Sequence, residues 1–150
     1  MTDNILNISG KIAIITGSTR GIGRSIAEKL CQHGAHIFVN ARDKNEVEKC
    51  VGELRMAGYS SDGLAGDGIN EEFIAESVKK VCNERDRIDI LVNNIGVYEQ
   101  RKIEDISLAQ WHQYIDANLT SAFLWTREVV PYMKKTGGGK IINIASIAGT

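Results

Sequence analysis

The residues best suited to chemistry begin at a glycine-rich turn, TGSTRGIG over 16–23, where Gly17, Gly21 and Gly23 flank Ser18, Thr19, Arg20 and Ile22. At the entry to a helix such a turn aims backbone N–H groups and the positive helix end at an anion. Its glycines remove the Cβ atoms that would block the anion's approach. A pyrophosphate is the ligand this arrangement suits, although packing alone also selects glycine-rich strand-to-helix turns. The spacing is Gly-x-x-x-Gly-x-Gly, not the usual dinucleotide Gly-x-Gly-x-x-Gly. No Lys-Ser or Lys-Thr follows the last glycine as a P-loop requires, which disfavours nucleoside triphosphate hydrolysis.

Other polar groups carry weaker signals. Asp67 before Gly68 is an ordinary turn pair by composition. Asn118 interrupts an apolar helix face with a poor helix former, and a buried amide is costly unless partnered, so it reads as a kink or water-binding residue. Ser146 has no His or acid close in sequence to activate it as a nucleophile. His33, His36 and His112 lack metal-ligand spacing, and no metal site is expected. Cys31, Cys50 and Cys82 are odd in number, far apart and each within a helical pattern, which reads as reduced core thiols.

The elements that must position these groups alternate between short apolar runs and amphipathic stretches, the pattern of βαβ units feeding a parallel sheet. Continuous apolar runs over 11–16, 35–40, 61–66, 88–93 and 140–145 predict five strands, each covered by helices on both faces. A first helix is expected to bury Ile22, Ile26 and Leu30 and to stop at Gly34. Asp43 with Glu46 predicts a capping box for a second, with Val47, Val51 and Leu54 inward and Gly58 as its stop. Asn70 should cap a third carrying Phe73, Val78 and Val81. Ser107 with Gln110 predicts another capping box, opening one long helix with Trp111, Ile115 and Leu119 on one face and ending before Gly137. Pro131 falls near its end, where a kink costs least.

A chain of 150 residues, 43% hydrophobic and 25% charged, is the size of one globular domain, and 1–150 is read as such. The 18 Lys and Arg nearly cancel 19 Asp and Glu to leave a net charge of -1, which excludes a strong field toward nucleic acid or anionic lipid. The opening residues lack a basic stretch followed by an apolar run, and no apolar stretch approaches the roughly 18 residues of a membrane span. A cytoplasmic protein with no nucleic-acid or membrane partner is expected.

The segment TGSTRGIG resembles the cofactor-binding motif of the short-chain dehydrogenases and reductases, and the rest of the chain agrees in order and separation. Asp67 follows the third strand, where that family holds the adenine ring. Asn93-Asn94-Ile95-Gly96 after the fourth strand is similar to the family's Asn-Asn-Ala-Gly. Asn118 lies where the family keeps a catalytic Asn, and IINIASIAG over 141–149 resembles the segment ending in its catalytic Ser, here Ser146. Overall similarity is to the 3-oxoacyl-[acyl-carrier-protein] reductase branch.

The resemblance implies a Rossmann-type doubly wound sheet of order 3-2-1-4-5, truncated relative to the family, with the cofactor across the carboxyl ends of the strands. It implies reversible hydride transfer between a nicotinamide and a small-molecule carbonyl or secondary alcohol. Cofactor contacts are expected from Gly17, Ser18, Thr19, Arg20, Gly21, Ile22, Gly23, Arg42, Asp67, Gly68, Asn94, Ile95 and Gly96. Catalytic roles are expected for Ser146, which would orient the carbonyl, and Asn118, which would hold a relay water. NADP is preferred over NAD in this reading, because Asn40 and Ala41 are neutral where NAD binders place an acid and Arg42 follows.

Two departures matter. Ile95 replaces a small Ala, adding volume beside the cofactor at an overpacking cost of roughly 1 to 3 kcal/mol unless neighbours are smaller. In the family a Tyr-x-x-x-Lys pair follows the Ser, whereas this sequence ends at Thr150, and none of Tyr59, Tyr98, Tyr114 and Tyr132 stands in that place. The expectation is therefore a fragment, inactive alone, whose fifth strand is an apolar edge favouring homo-oligomers. The alternatives are a non-catalytic nucleotide-binding or regulatory module, or a methyltransferase, which would not be expected to carry Asn93-Asn94-Ile95-Gly96, Asn118 and Ser146 together.

Overall fold

The computed structural model describes residues 8–146. Five strands, β1 (Ile12–Ile15), β2 (His36–Ala41), β3 (Ser61–Ala65), β4 (Ile90–Asn93) and β5 (Lys140–Asn143), form one parallel sheet in the order β3-β2-β1-β4-β5. The helices are α1 (Gly21–Gln32), α2 (Lys44–Met56), α3 (Glu71–Arg85), α4 (Leu108–Ile115) and α5 (Ser121–Lys135).

Period-two alternation along the central strands divides the core. Ile12 and Ile14 of β1 pack with Phe38, Leu91, Ile74, Val78, Trp125 and Val129, under α3 and α5. Ala13 and Ile15 face the other way, with Ile37, Val39, Val92, Ala27, Val47 and Leu54, under α1 and α2. The result is the three-layer, doubly wound Rossmann-type arrangement that continuous apolar strands demand. At the amino ends of the strands, Asp89 accepts from the Ile12 N–H at 2.9 Å and pairs with Lys11 at 3.2 Å and with Arg87, tying β1 to β4.

Several expectations need correction. Helix α1 buries Gly23, Ala27 and Cys31, one residue later than the predicted stripe, and Ile22 is 63% exposed. The glycine turn sets this rotation: a Cβ on Gly23 would stand 2.6 Å from the Gly17 carbonyl and 2.9 Å from Ser18 Cα, so small residues face the sheet and the larger Ile26 and Leu30 pack only at its rim. The Asp43–Glu46 box is half formed. Asp43 accepts from the Glu46 N–H at 3.0 Å, but the Glu46 carboxylate accepts from the Thr19 hydroxyl at 3.2 Å instead.

The expected long helix after Ser107 is broken by a π turn over Asp116–Thr120 between α4 and α5. The capping box of Ser107 and Gln110 forms as predicted, as does the Asn70 cap on α3. The predicted inward face does not: Trp111 and Leu119 are 50% and 63% exposed, because α5 turns Leu124, Trp125, Val129 and Met133 to the sheet and nothing described covers the other side. Nor is every strand covered on both faces. Strand β5 is largely exposed, with Ile142 open, and Asp62 and Gly63 of β3 are only partly buried.

Candidate functional site

The carboxyl ends of β1, β2, β3 and β4 open onto a cleft of about 580 Å³. Its centre is the turn after β1, where Gly17 (φ 59°) and Gly21 (φ 56°) take the left-handed conformation that side chains resist. Helix α1 then starts with no side-chain cap and no acid in its first turn, whereas α2, α3 and α4 are capped by Asp43, Asn70 and Ser107. The leading N–H groups of α1 are thus left for an external acceptor at the positive helix end.

The turn is held from behind. Ser18 is fully buried; its hydroxyl donates to the Ile15 carbonyl at 2.6 Å and its backbone N–H to the Asn40 carbonyl at 2.9 Å, joining the turn to β2. The Asn94 side-chain amide donates to the carbonyls of Thr16 (3.0 Å) and Gly17 (2.9 Å), while the Thr16 hydroxyl accepts from the N–H groups of Asn94 (2.9 Å) and Ile95 (3.2 Å). The end of β4 therefore fixes the glycine turn of β1. Each bond is worth about 1 kcal/mol, and the set gives one geometry.

Of the residues expected to contact a cofactor, Gly17, Thr19, Arg20, Arg42, Asp67, Gly68, Asn94, Ile95 and Gly96 line the cleft. Ser18, Gly21, Ile22 and Gly23 do not: Ser18 and Gly23 are buried, and Gly21 and Ile22 are exposed. Asp67 Oδ1 accepts from the Ile69 N–H at 3.3 Å, shaping the turn after β3. The volume question raised by Ile95 has an answer in Gly68, since the Ile95 methyl fills the space a Cβ at 68 would occupy.

The electrostatics of the rim are uneven. Of the eight arginines, Arg24, Arg55, Arg85, Arg87, Arg101 and Arg127 each have a carboxylate within ion-pair distance. Arg20 and Arg42 have none among the described residues, and both line the cleft. Asp43 and Glu46 line it too, close to the second-strand end.

Asn118 sits in the π turn and is exposed, not buried as first expected, yet both ends of its amide are used. Its Oδ1 accepts from the Val97 N–H at 2.9 Å and its Nδ2 donates to the Val97 carbonyl at 3.0 Å. Asn118 thus ties the π turn to the segment leaving β4. Ser146 lies three residues beyond the carboxyl end of β5, exposed. Neither residue lines the cleft.

Sequence reasoning missed Thr16 and Asn40 as site residues. Asn40 is fully buried, donating to the carbonyls of Leu64 (2.9 Å) and Gly66 (3.3 Å), and the signal available was an Asn ending an otherwise apolar strand. It also passed over Tyr98 and Lys102, which do have Tyr-x-x-x-Lys spacing but precede Ser146. They lie around a loop and not on a helix, where that spacing would put both side chains on one face. The thiols are quiescent: burial pushes Cys31 up to about 11, and Cys82 likewise to about 11.

A doubly wound sheet with a glycine turn at its switch point defines a dinucleotide-binding fold. The family profile described as short chain dehydrogenase matches residues 11–150, and the chain belongs to that oxidoreductase family. It is 39% identical over 145 residues to the Uncharacterized oxidoreductase YvrD of Bacillus subtilis (strain 168), covering 96% of this chain and 54% of that protein. To the 3-oxoacyl-[acyl-carrier-protein] reductase FabG of Aquifex aeolicus (strain VF5) it is 34% identical, covering 96% of this chain and 58% of that protein. A crystal structure of a metagenomic short-chain oxidoreductase in complex with NADP superposes with a TM-score of 0.89 at 35% identity, covering 97% of this chain and 66% of that one. The chain thus spans a little over half the length of these two curated relatives.

Proposed function

We propose that the protein is an NADP(H)-dependent oxidoreductase interconverting a small-molecule carbonyl and a secondary alcohol, and that residues 1–150 form its cofactor-binding domain. The observation that carries this reading is that Arg20 and Arg42 line the cleft with no carboxylate at ion-pair distance among the described residues, Arg20 at the N-cap of a helix that has no side-chain cap. A 2′-phosphate would give each guanidinium a partner through charge-assisted hydrogen bonds of about 1.5 to 3 kcal/mol at best. A structural relative that holds NADP supports the same choice.

In this proposal Gly17 and the turn leading into α1 receive the pyrophosphate, Asp67 and Gly68 face the adenine end with Ile95 packed against Gly68, and Asn94 and Gly96 complete the cleft wall. The bound nicotinamide supplies or accepts the hydride. Ser146 orients the substrate carbonyl, and Asn118 keeps the segment beside it in place. Three free thiols suit a reducing, cytoplasmic compartment. Among the described residues no helix is long and apolar enough to cross a membrane. The exposed apolar side chains of β5 and of the face bearing Trp111, Leu119 and Phe123 favour a homo-oligomer.

Substitution tests the reading. In the full chain, Arg42→Ala should weaken NADPH binding about tenfold and leave NADH nearly unchanged. Ser146→Ala should cut turnover far more than cofactor affinity, and Asp67→Ala the reverse. Equal losses for both cofactors in Arg42→Ala would remove the basis for the NADP assignment.

A further inference from the structure

We infer that Gly68 and Ile95 work as one size-matched pair that sets the width of the dinucleotide cleft, which makes Ile95 a positioning residue; this rests on the cofactor reading above. The two come from different turns, Gly68 from the one after β3 and Ile95 from the one after β4, and both line the cleft. A Cβ placed on Gly68 would overlap Ile95 Cδ1 and would stand 3.2 Å from Asn40 Oδ1 and 3.4 Å from Trp125 Nε1. On its other side, Ile95 Cγ1 lies 3.4 Å from where a Cβ of Gly17 would be. The Ile95 side chain therefore bridges the glycine turn and the turn after β3.

Neither backbone is free to yield. The Ile95 N–H donates to the Thr16 hydroxyl at 3.2 Å, beside the bonds that fix Asn94. The Gly68 carbonyl accepts from Nε1 of the fully buried Trp125 at 3.1 Å. Asn40, also fully buried, stands behind Gly68 with its amide held by Leu64 and Gly66. Any side chain at 68 thus meets fixed groups behind it and one yielding methyl in front. Ile95 itself lines the cleft, so a methyl pushed off Gly68 takes up cleft space. The overlapping atom is the far end of Ile95, which swings about χ2 while the branch at Cβ stays in its χ1 rotamer. The fold absorbs the change and the cofactor space does not.

The test is equilibrium binding of NADPH and NADH to the full chain, read by fluorescence, with melting temperature alongside. Gly68→Ala should weaken both dinucleotides alike, by about tenfold, while melting within a few degrees of the wild type. Adding Ile95→Ala should bring affinity back to within about threefold of the wild type, the non-additivity expected of a touching pair. Ile95→Phe, with Gly68 intact, should weaken binding on its own and carries the test should Gly68→Ala fold poorly. Wild-type affinity in Gly68→Ala or Ile95→Phe, or no recovery in the double variant, overturns the inference. A wild type that binds neither dinucleotide overturns the cofactor reading and the inference with it.

Discussion

Asn118 grips the main chain of Val97 from both sides, its Oδ1 taking the N–H and its Nδ2 giving to the carbonyl of the same residue. A regular α-helix would not present the amide this way. The π turn over Asp116–Thr120 inserts one residue and redirects it, a device that recurs at functional sites. Asn118→Ala should lower stability by only about 1 to 2 kcal/mol, since two exposed bonds are lost, yet speed hydrogen exchange at the Val97 amide markedly. Asn118→Asp keeps the acceptor but turns a carboxylate toward the Val97 carbonyl, and should loosen the segment further. Unchanged exchange at Val97 in both variants would contradict this account of the kink.

Gly23 and Gly52 make opposite predictions from the same substitution. A Cβ on Gly23 would press on backbone at Gly17 and Ser18, which cannot move without opening the turn. Gly23→Ala should cost about 1 to 3 kcal/mol or more in urea unfolding. Gly52 lies inside α2 with nothing within 4 Å of its missing Cβ, so Gly52→Ala should stabilise by about 0.5 to 1 kcal/mol through helix propensity alone. A neutral Gly23→Ala would mean the helix does not approach the turn as closely as described.

Much of this was legible in the sequence. The Asn70 and Ser107 caps follow from local patterns, because cap chemistry acts within a few residues, whereas the strand order and most of the cleft lining come with the family resemblance. What failed needed tertiary knowledge. The rotation of α1 is set by how closely Gly23 meets Gly17, and the second half of the Asp43–Glu46 box is lost to Thr19, which is 27 positions away. The outward face of Trp111 and Leu119 repeats like a buried stripe, and periodicity does not say what covers it. Thr16, though it opens the glycine-rich motif, and Asn40 work through bonds to segments far away in sequence, which spacing along the chain does not record.

Acid should destabilise the protein in two stages. His36 is buried at the start of β2, with Nδ1 2.6 Å from the Ser60 hydroxyl. Its Nε2 stands 3.1 Å from an Asp62 oxygen but off the line of a hydrogen bond. Burial, then Arg85, lowers its pKa against the pull of Asp62, with Arg55 adding to the lowering. Below its ordinary value of about 6.5 the unfolded chain takes up a proton that the folded chain refuses, so stability present above that pH is lost as pH falls. Burial alone would raise Asp89, but Arg87, the Ile12 N–H and Lys11 outweigh it and hold its carboxyl below the usual range. That contribution persists until the pH drops below about 4. Urea unfolding from pH 8 to 3 should show both stages, and His36→Gln should erase the first. A first stage unchanged in His36→Gln would assign it to another group.

The most direct measurement of the central claim is a titration of the full chain with NADPH and with NADH at fixed, low ionic strength, where exposed charge pairs are least screened. Arg20 and Arg42, lining the cleft without carboxylate partners among the described residues, predict that NADPH binds about tenfold or more tightly. They also predict that the preference shrinks as salt is added. Equal affinities, or tighter binding of NADH, would contradict the account.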